Sequence, residues 1–448
     1  MAQLTIEPIK QDVYLEQAKK VFESANIKAN ENEIRKIQEF LKKSDRWVSS
    51  QINLTKILLN TKDKELLLKI IDTIDKLDTN SKIKGQLLSG IANLSDDKVK
   101  SEINAAVYYI QTEEMNNIIT NYESICGLDE IVFRIGRIGI RKNKREVKEI
   151  MKIFSEKETV DAVKKLTEKH KDAEQKVIAV GEVIHLISNS EIKDFIELRK
   201  NIADIVPVIK EEYNITHFGR HSSRFIFQLY NYAIGTINNE SEKEGIGNSK
   251  KEKKKERIFI FAYSYSDHNG AFYSDSKHND ALSKYGKTIA IEASSDVELM
   301  LMIEKMYKKH GSFNGIFIAG HGEPTRVKLG KDDMPYSLFD VSDYDIMSKI
   351  GSMIDKEDKN SFIALISCST GNEQSTRSLA NIMASAANVP YVYAPEDSFT
   401  KYSLNIEEEN KEKKKKTGQK ITEERITVAY YHEKGTVQTM EFGIKKRE

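Results

Sequence analysis

The 448-residue chain contains only two cysteines, Cys126 and Cys368, far apart and in no Cys-x-x-Cys pair. That excludes a disulfide framework or a cysteine-rich zinc site and suits a reducing, cytoplasmic setting. No uninterrupted apolar run approaches the ~20 residues needed to span a bilayer. The N-terminal MAQLTIEPIKQDVYLEQAKK lacks the basic start, apolar stretch and small-residue cleavage site of a secretory signal. Charge of one sign is also missing: 31% of residues are charged, yet the formal net charge is +1. Neither nucleic acid nor a membrane is therefore expected as a direct partner. No Gly-rich phosphate loop and no G-x-S-x-G elbow occurs, so acyl or glycosyl chemistry on a doubly wound fold finds no support. No metal or other cofactor is implied, and no acidic loop has recognisable calcium-ligand spacing.

The chain is longer than one hydrophobic core usually organises, and two domains are expected. Between residues 11 and 237 proline is scarce, and apolar residues recur every three or four positions, as in Leu66, Leu67, Ile70, Ile71, Ile74 and Leu77. This spacing predicts an all-helical N-terminal domain over 1–237, a bundle or a solenoid, although no residue pattern repeats at a fixed period. Thr61, Ser95 and Thr159 read as helix starts because acidic residues follow each of them. Residues 238–256, rich in Lys, Glu, Gly and Ser, read as a flexible charged linker.

After the linker the periodicity changes. Residues 258–263, 288–291, 315–319, 362–366 and 391–393 form short, nearly continuous apolar runs rich in β-branched and aromatic residues. Such runs predict strands buried on both faces. Helical stretches at 296–309, 342–354 and 375–387 alternate with them, which implies right-handed crossovers and a mostly parallel sheet flanked by helices over 257–448. Residues 426–432 and 436–442, around Glu433-Lys434-Gly435, predict a hairpin at one edge. The charged stretch 407–425 reads as a solvated, disordered insertion, or as a lysine-rich loop open to self-cleavage.

In a parallel sheet, chemistry gathers beyond the carboxyl ends of the strands. One run ends at Ala319 and continues into Gly320-His321-Gly322-Glu323-Pro324; another ends at Ile366 and continues into Ser367-Cys368-Ser369-Thr370-Gly371. Histidine and cysteine thus fall on the same sheet edge. A thiol needs a nearby imidazole to become an effective nucleophile, and a helix start after it, here expected near Ser375, would favour thiolate. The oxyanion that forms on attack needs backbone donors, which the amides of Gly322 and Cys368 can supply. The remaining histidines lack this context: His185 lies in an apolar helical stretch, and His217 and His221 flank Arg220 near a helix start.

An apolar strand followed by His-Gly, a helix, and a second apolar strand followed by Cys resembles the caspase-like superfamily of cysteine peptidases. That superfamily includes caspases, metacaspases, gingipain- and clostripain-type peptidases, separase and bacterial CHAT peptidases. The resemblance covers about residues 257–442. The 47-residue separation of His321 from Cys368 is near the ~50 of caspases. Ser-Cys-Ser-Thr-Gly departs from the Gln-Ala-Cys-x-Gly of animal caspases and looks more like CHAT and related prokaryotic branches. The resemblance implies a caspase-hemoglobinase-like α/β fold and an endopeptidase acting on protein or peptide substrates, with His321 as base and acid, Cys368 as nucleophile and Gly322 as oxyanion donor. It also implies that the helical domain binds a regulatory protein. Residues 258–286 contain no arginine, which speaks against aspartate specificity. Asp267, Glu396 and Asp397 instead offer carboxylates for an arginine or lysine side chain, while Asp267 and Asp397 read equally as caps of the turns that follow. The alternative from another class is a catalytically silent caspase-like fold serving as an interaction scaffold.

Overall fold

The computed structural model describes residues 13–44, 47–97, 100–235, 256–266, 276–331, 334–372, 377–399, 401–411, 421–432, 435–437 and 439–443. Nearly all of the linker read at 238–256, Asp267, and the lysine-rich stretch 412–420 lie outside the described residues. The chain divides into two compact units, Met1–Asp204 and Ile205–Glu448. The second unit therefore includes residues 205–234, which apolar periodicity alone groups with the N-terminal helices.

The first unit is helical: α1 (Val13–Ser24), α2 (Glu31–Lys42), α3 (Trp47–Thr61), α4 (Lys64–Asp75), α5 (Ser81–Leu94), α6 (Lys100–Ile110), α7 (Glu113–Tyr122), α8 (Leu128–Arg141), α9 (Lys144–Ser155), α10 (Lys157–Glu168), α11 (Ala173–Asn189) and α12 (Ile192–Arg199). The main packing partners of each helix lie within three places along the chain, as α1 on α3, α3 on α5, α5 on α8 and α8 on α11. That is a linear stack rather than a bundle around one centre. At Gly90 on α5 the backbone of α8 comes close: an added Cβ would overlap the carbonyl of Asp129 and lie 2.8 Å from Val132 Cβ.

Helix starts follow the strongest local acceptors. Asn30 and Asn143 each close a capping box, with Glu33 and Glu146 respectively. The expected start at Thr61 is displaced: Thr61 ends α3, and Asp63, whose carboxylate accepts from the Leu66 amide, caps α4. Ser95 caps the end of α5 rather than the start of α6, and Thr159 lies inside α10.

The second unit is built on a six-stranded sheet of order β12-β8-β7-β3-β1-β2. Its strands are β1 (Arg257–Ser264), β2 (Gly286–Ala293), β3 (Gly315–Ala319), β7 (Phe362–Ile366), β8 (Tyr391–Pro395) and β12 (Thr439–Gly443). All neighbouring pairs are parallel except β8 with β12. The five apolar runs are thus the five parallel strands, and β3 and β7 are buried along their whole length. Phe317 on β3 stacks on Phe261 of β1 at 4.1 Å between ring centres and meets Phe362 of β7 edge-on at 5.2 Å. These contacts lock β3 between its two neighbours. The helices of this unit are α13 (Ile202–Tyr213, nearly all of it), α14 (Ser223–Ile234), α15 (Ser276–Leu282), α16 (Asp296–His310), α17 (Tyr344–Ser352) and α18 (Leu379–Ala387).

Two smaller sheets complete it. One consists of β4 (His321–Glu323), β5 (Arg326–Lys328) and β6 (Leu338–Asp340); the other of β9 (Lys401–Lys411), β10 (Ile421–His432) and β11 (Gly435–Val437). The expected edge hairpin is corrected here: β10 pairs with β11 over three residues only, and the terminal strand β12 crosses to the main sheet. The disordered reading of 407–425 is corrected for residues 407–411 and 421–425. Their backbones pair in antiparallel register, with Arg425 opposite Glu407. Charged residues stand at most positions of both segments, so the sequence lacks the apolar alternation that announces a strand.

A buried carboxylate ties the segment between α13 and α14 to the sheet. Glu292 near the end of β2 is fully buried and accepts from the amides of Thr216 (2.9 Å) and His217 (3.1 Å), from the Thr216 hydroxyl and from His217 Nδ1. Asn214 donates to the Glu292 carbonyl at 2.9 Å and to Glu298 at 3.0 Å. Four charge-assisted bonds offset the desolvation of the carboxylate. They also explain why residues 205–234 fold with the sheet.

Beside this cluster His221 is 2% exposed, its ring 5.7 Å from that of Tyr263 and 5.5 Å from that of Phe225. Burial pushes it down from 6.5 to about 4; Glu292 opposes that shift, and Arg220 and His217 reinforce it. His310 is pushed down to about 4 by burial and by Lys287 and Lys309. A depressed histidine gives stability that is complete above its unfolded value and lost as pH falls towards the folded one. The second unit is therefore predicted to weaken between about pH 6.5 and pH 4, and His221→Leu to flatten that loss. Urea midpoints of both proteins at pH 7 and pH 5 check this, and equal acid sensitivity would refute the assignment to His221.

Candidate active site

The ladder between β3 and β7 sets the site. Their register pairs Gly315 with Phe362 and, at the carboxyl ends, Ala319 with Ile366. One further bond, from the Gly320 amide to the Ile366 carbonyl at 3.2 Å, carries the pairing past the strand ends. His321 and Cys368 each stand two residues beyond the last register pair, on neighbouring strands spaced about 4.8 Å apart. The two residues singled out from sequence thus follow closely on the carboxyl ends of two neighbouring strands, on the same sheet edge. His321 is exposed and Cys368 half-buried, and Cys368 and Cys126 are both free thiols.

Gly322 seals the arrangement. A Cβ added there would overlap Ser367 Oγ and lie 2.9 Å from the Cys368 carbonyl oxygen. Only glycine lets the backbone after the histidine lie directly against the Ser367-Cys368 peptide. On the other side β4 pairs with β5, His321 opposite Lys328 and Gly322 opposite Val327. A depression of about 100 Å³ opens there, lined by His321, Gly322, Glu323, Arg326, Lys328 and Leu338.

The cysteine loop is pinned from several directions. Ser369 adopts a left-handed backbone, φ 59°. Its amide donates to the Asp397 carbonyl at 3.2 Å, the Gly371 amide to the Pro395 carbonyl at 2.8 Å, and the Thr370 hydroxyl to the Ser367 carbonyl at 2.8 Å. A non-glycine residue at positive φ costs about 1–3 kcal/mol and persists where surrounding bonds over-determine it. The first turn of α18 is anchored to the histidine loop by a 2.7 Å bond from the Leu379 amide to the Pro324 carbonyl.

The expected start of the helix after the cysteine is corrected. Helix α18 starts at Leu379, with Ser378 as its cap, and not near Ser375. The cysteine loop nevertheless abuts its first turn, the Ala380 amide donating to the Thr370 carbonyl at 3.1 Å.

Of the three acidic candidates, Asp397 is exposed, and its carboxylate accepts from the Ser398 amide at 2.7 Å, capping its own turn. Its carbonyl nevertheless holds Ser369, so the loop carrying Glu396 and Asp397 borders the cysteine loop. Glu396 is half-buried. Two features escaped the sequence reading: the Glu292 cluster, and Ser367, a small polar residue that reads simply as the end of a strand. Ser367 is fully buried, and its hydroxyl meets no hydrogen-bond partner among the described residues. Among the described residues no group of three or more His, Cys, Asp or Glu side chains could hold a metal ion, and no helix is long and apolar enough to cross a membrane.

No protein-family model, curated protein or solved structure matches the chain.

If His321 serves Cys368 as proton acceptor, His321→Ala slows alkylation of Cys368 by iodoacetamide at pH 7 about tenfold and leaves Cys126 unchanged. Peptide mass spectrometry after timed quenching reads both sites at once, and unchanged Cys368 kinetics would uncouple the pair.

Proposed function

We propose that the second unit is a caspase-like cysteine endopeptidase with His321 and Cys368 as its dyad, and that the helical unit is its regulatory module, docking a controlling protein. The observation that carries the reading is the register of β3 and β7, with the His-Gly backbone packed on the Ser367-Cys368 peptide. The parallel strands, the order β8-β7-β3-β1-β2, and a histidine loop followed by a small antiparallel sheet support it further.

The chemistry follows from the placement. His321 takes the Cys368 proton, and the thiolate attacks the scissile carbonyl, forming a C–S bond as the carbonyl π electrons move to oxygen. The amides of Gly322 and Cys368 receive that oxyanion. As it collapses, the C–N bond breaks and the imidazolium gives its proton to the leaving amine. Water, deprotonated by the same imidazole, then hydrolyses the thioester and restores the thiol. A reducing cytoplasmic setting keeps the thiol available.

Specificity for arginine or lysine before the scissile bond is part of the proposal. Its support is the position of Glu396 and Asp397 beside the cysteine loop, where a carboxylate can receive a guanidinium or ammonium.

The test is a panel of fluorogenic peptides ending in Arg, Lys, Asp or Leu, assayed with the full chain, alone and with cell extract. The prediction is turnover of the Arg and Lys peptides that Cys368→Ala and His321→Ala each reduce at least about a thousandfold. Cleavage after Asp alone would overturn the basic pocket, and turnover insensitive to both substitutions would overturn the dyad.

A further inference from the structure

Ser367 is out of place as an ordinary core residue. It is 0% exposed, and its hydroxyl has no hydrogen-bond partner among the described residues, while the Thr370 hydroxyl one turn on does find one, the Ser367 carbonyl. A buried hydroxyl left unpaired costs about 1–3 kcal/mol, which alanine at the same position would avoid. Such groups concentrate where function needs them. This one sits directly against Gly322, on the side where an added Cβ would overlap it.

In a trans peptide the carbonyl oxygen lies on the same side of the C–N bond as the following Cα. The Ser367 hydroxyl, packed against Gly322, thus borders the peptide whose N–H belongs to Gly322 and whose carbonyl belongs to His321, and makes no hydrogen bond to that carbonyl in the resting structure. We infer that Ser367 is a positioning residue for the oxyanion hole: in the reacting state its hydroxyl donates to the His321 carbonyl and aims the Gly322 N–H at the oxyanion.

This rests on the peptidase reading and adds to it a residue that never touches substrate. The hydrogen bond acts twice. It fixes the direction of the peptide plane, and it polarises the amide, since hydrogen bonds in series through one peptide strengthen each other. The donor is idle in the resting enzyme and engaged only when negative charge develops, so its stabilisation goes to the transition state and not to the bound substrate.

Two reagents separate this role from general damage. A peptide aldehyde adds the Cys368 thiol to its carbonyl, forming a C–S bond and an oxygen that occupies the oxyanion hole. Iodoacetamide alkylates the same sulfur by displacing iodide and forms no oxyanion. The experiment compares wild type, Ser367→Ala and His321→Ala in the full chain, using aldehydes ending in Arg, Lys, Asp or Leu, iodoacetamide, and a thermal melt.

Ser367→Ala should bind the effective aldehyde about tenfold more weakly, lower kcat about tenfold at unchanged KM on the matching fluorogenic peptide, keep the wild-type rate of alkylation, and melt no lower than wild type. Unchanged aldehyde affinity would overturn the inference, and so would a lower melting temperature, because the hydroxyl would then have a resting partner. If wild type binds no aldehyde and His321→Ala does not slow alkylation, the peptidase reading itself fails and takes this role with it.

Discussion

The structure of the second unit depends above all on the hydrogen-bond ladder between two five-residue strands, β3 and β7. Parallel pairing has a property that matters here: both strands end on the same sheet edge, so whatever follows each one is delivered to the same place. A one-residue slip would turn every side chain of one strand to the opposite face. That slip is opposed by complete burial of both strands and by the ring contacts of Phe317 with Phe261 and Phe362. Core packing thus holds the ends of the two strands that lead into a histidine and a cysteine, 47 positions apart in the chain, on one sheet edge.

Around this ladder the loops are held by backbone hydrogen bonds more than by side chains. Gly320 reaches Ile366, Leu379 reaches Pro324, Ser369 reaches Asp397 and Gly371 reaches Pro395. The histidine loop, the cysteine loop, the start of α18 and the loop after β8 therefore form one connected frame. From the far side Tyr430 of β10 joins the same frame, its buried hydroxyl donating to the Leu365 carbonyl at 2.9 Å. Within it Gly322 has no freedom to become alanine, and Ser367 is the polar atom it rests against. Such a frame meets the requirement that donors to a developing charge be in place beforehand.

The five parallel strands were legible because burial on both faces forces nearly continuous apolar sequence, and His321, Gly322 and Cys368 were legible because each follows directly on such a run. Helix starts were less so. Ser, Thr and Asp all compete to cap, and at α4 the carboxylate of Asp63 prevails over Thr61. The pairing of β9 with β10 could not be read over 407–411 and 421–425, since the run of charged residues there leaves no apolar alternation to detect. Nor could the membership of residues 205–234, which turns on one buried glutamate, Glu292, meeting amides some 75 positions away in the chain. Ser367 was invisible for a related reason: its environment is made by Gly322, not by its neighbours in sequence.

The claim on which the rest stands is that β3 and β7 deliver positions 321 and 368 to each other, and it can be measured without knowing a substrate. A disulfide forms only when the two Cα atoms lie within about 4.4–6.8 Å. The substitution His321→Cys followed by mild oxidation should therefore link the introduced thiol to Cys368 within one chain, seen as a single cross-linked tryptic peptide pair, with Cys126 still free to alkylate. If both thiols at the sheet edge remain free and react independently with iodoacetamide, the register does not bring the two positions together, and the dyad falls with it.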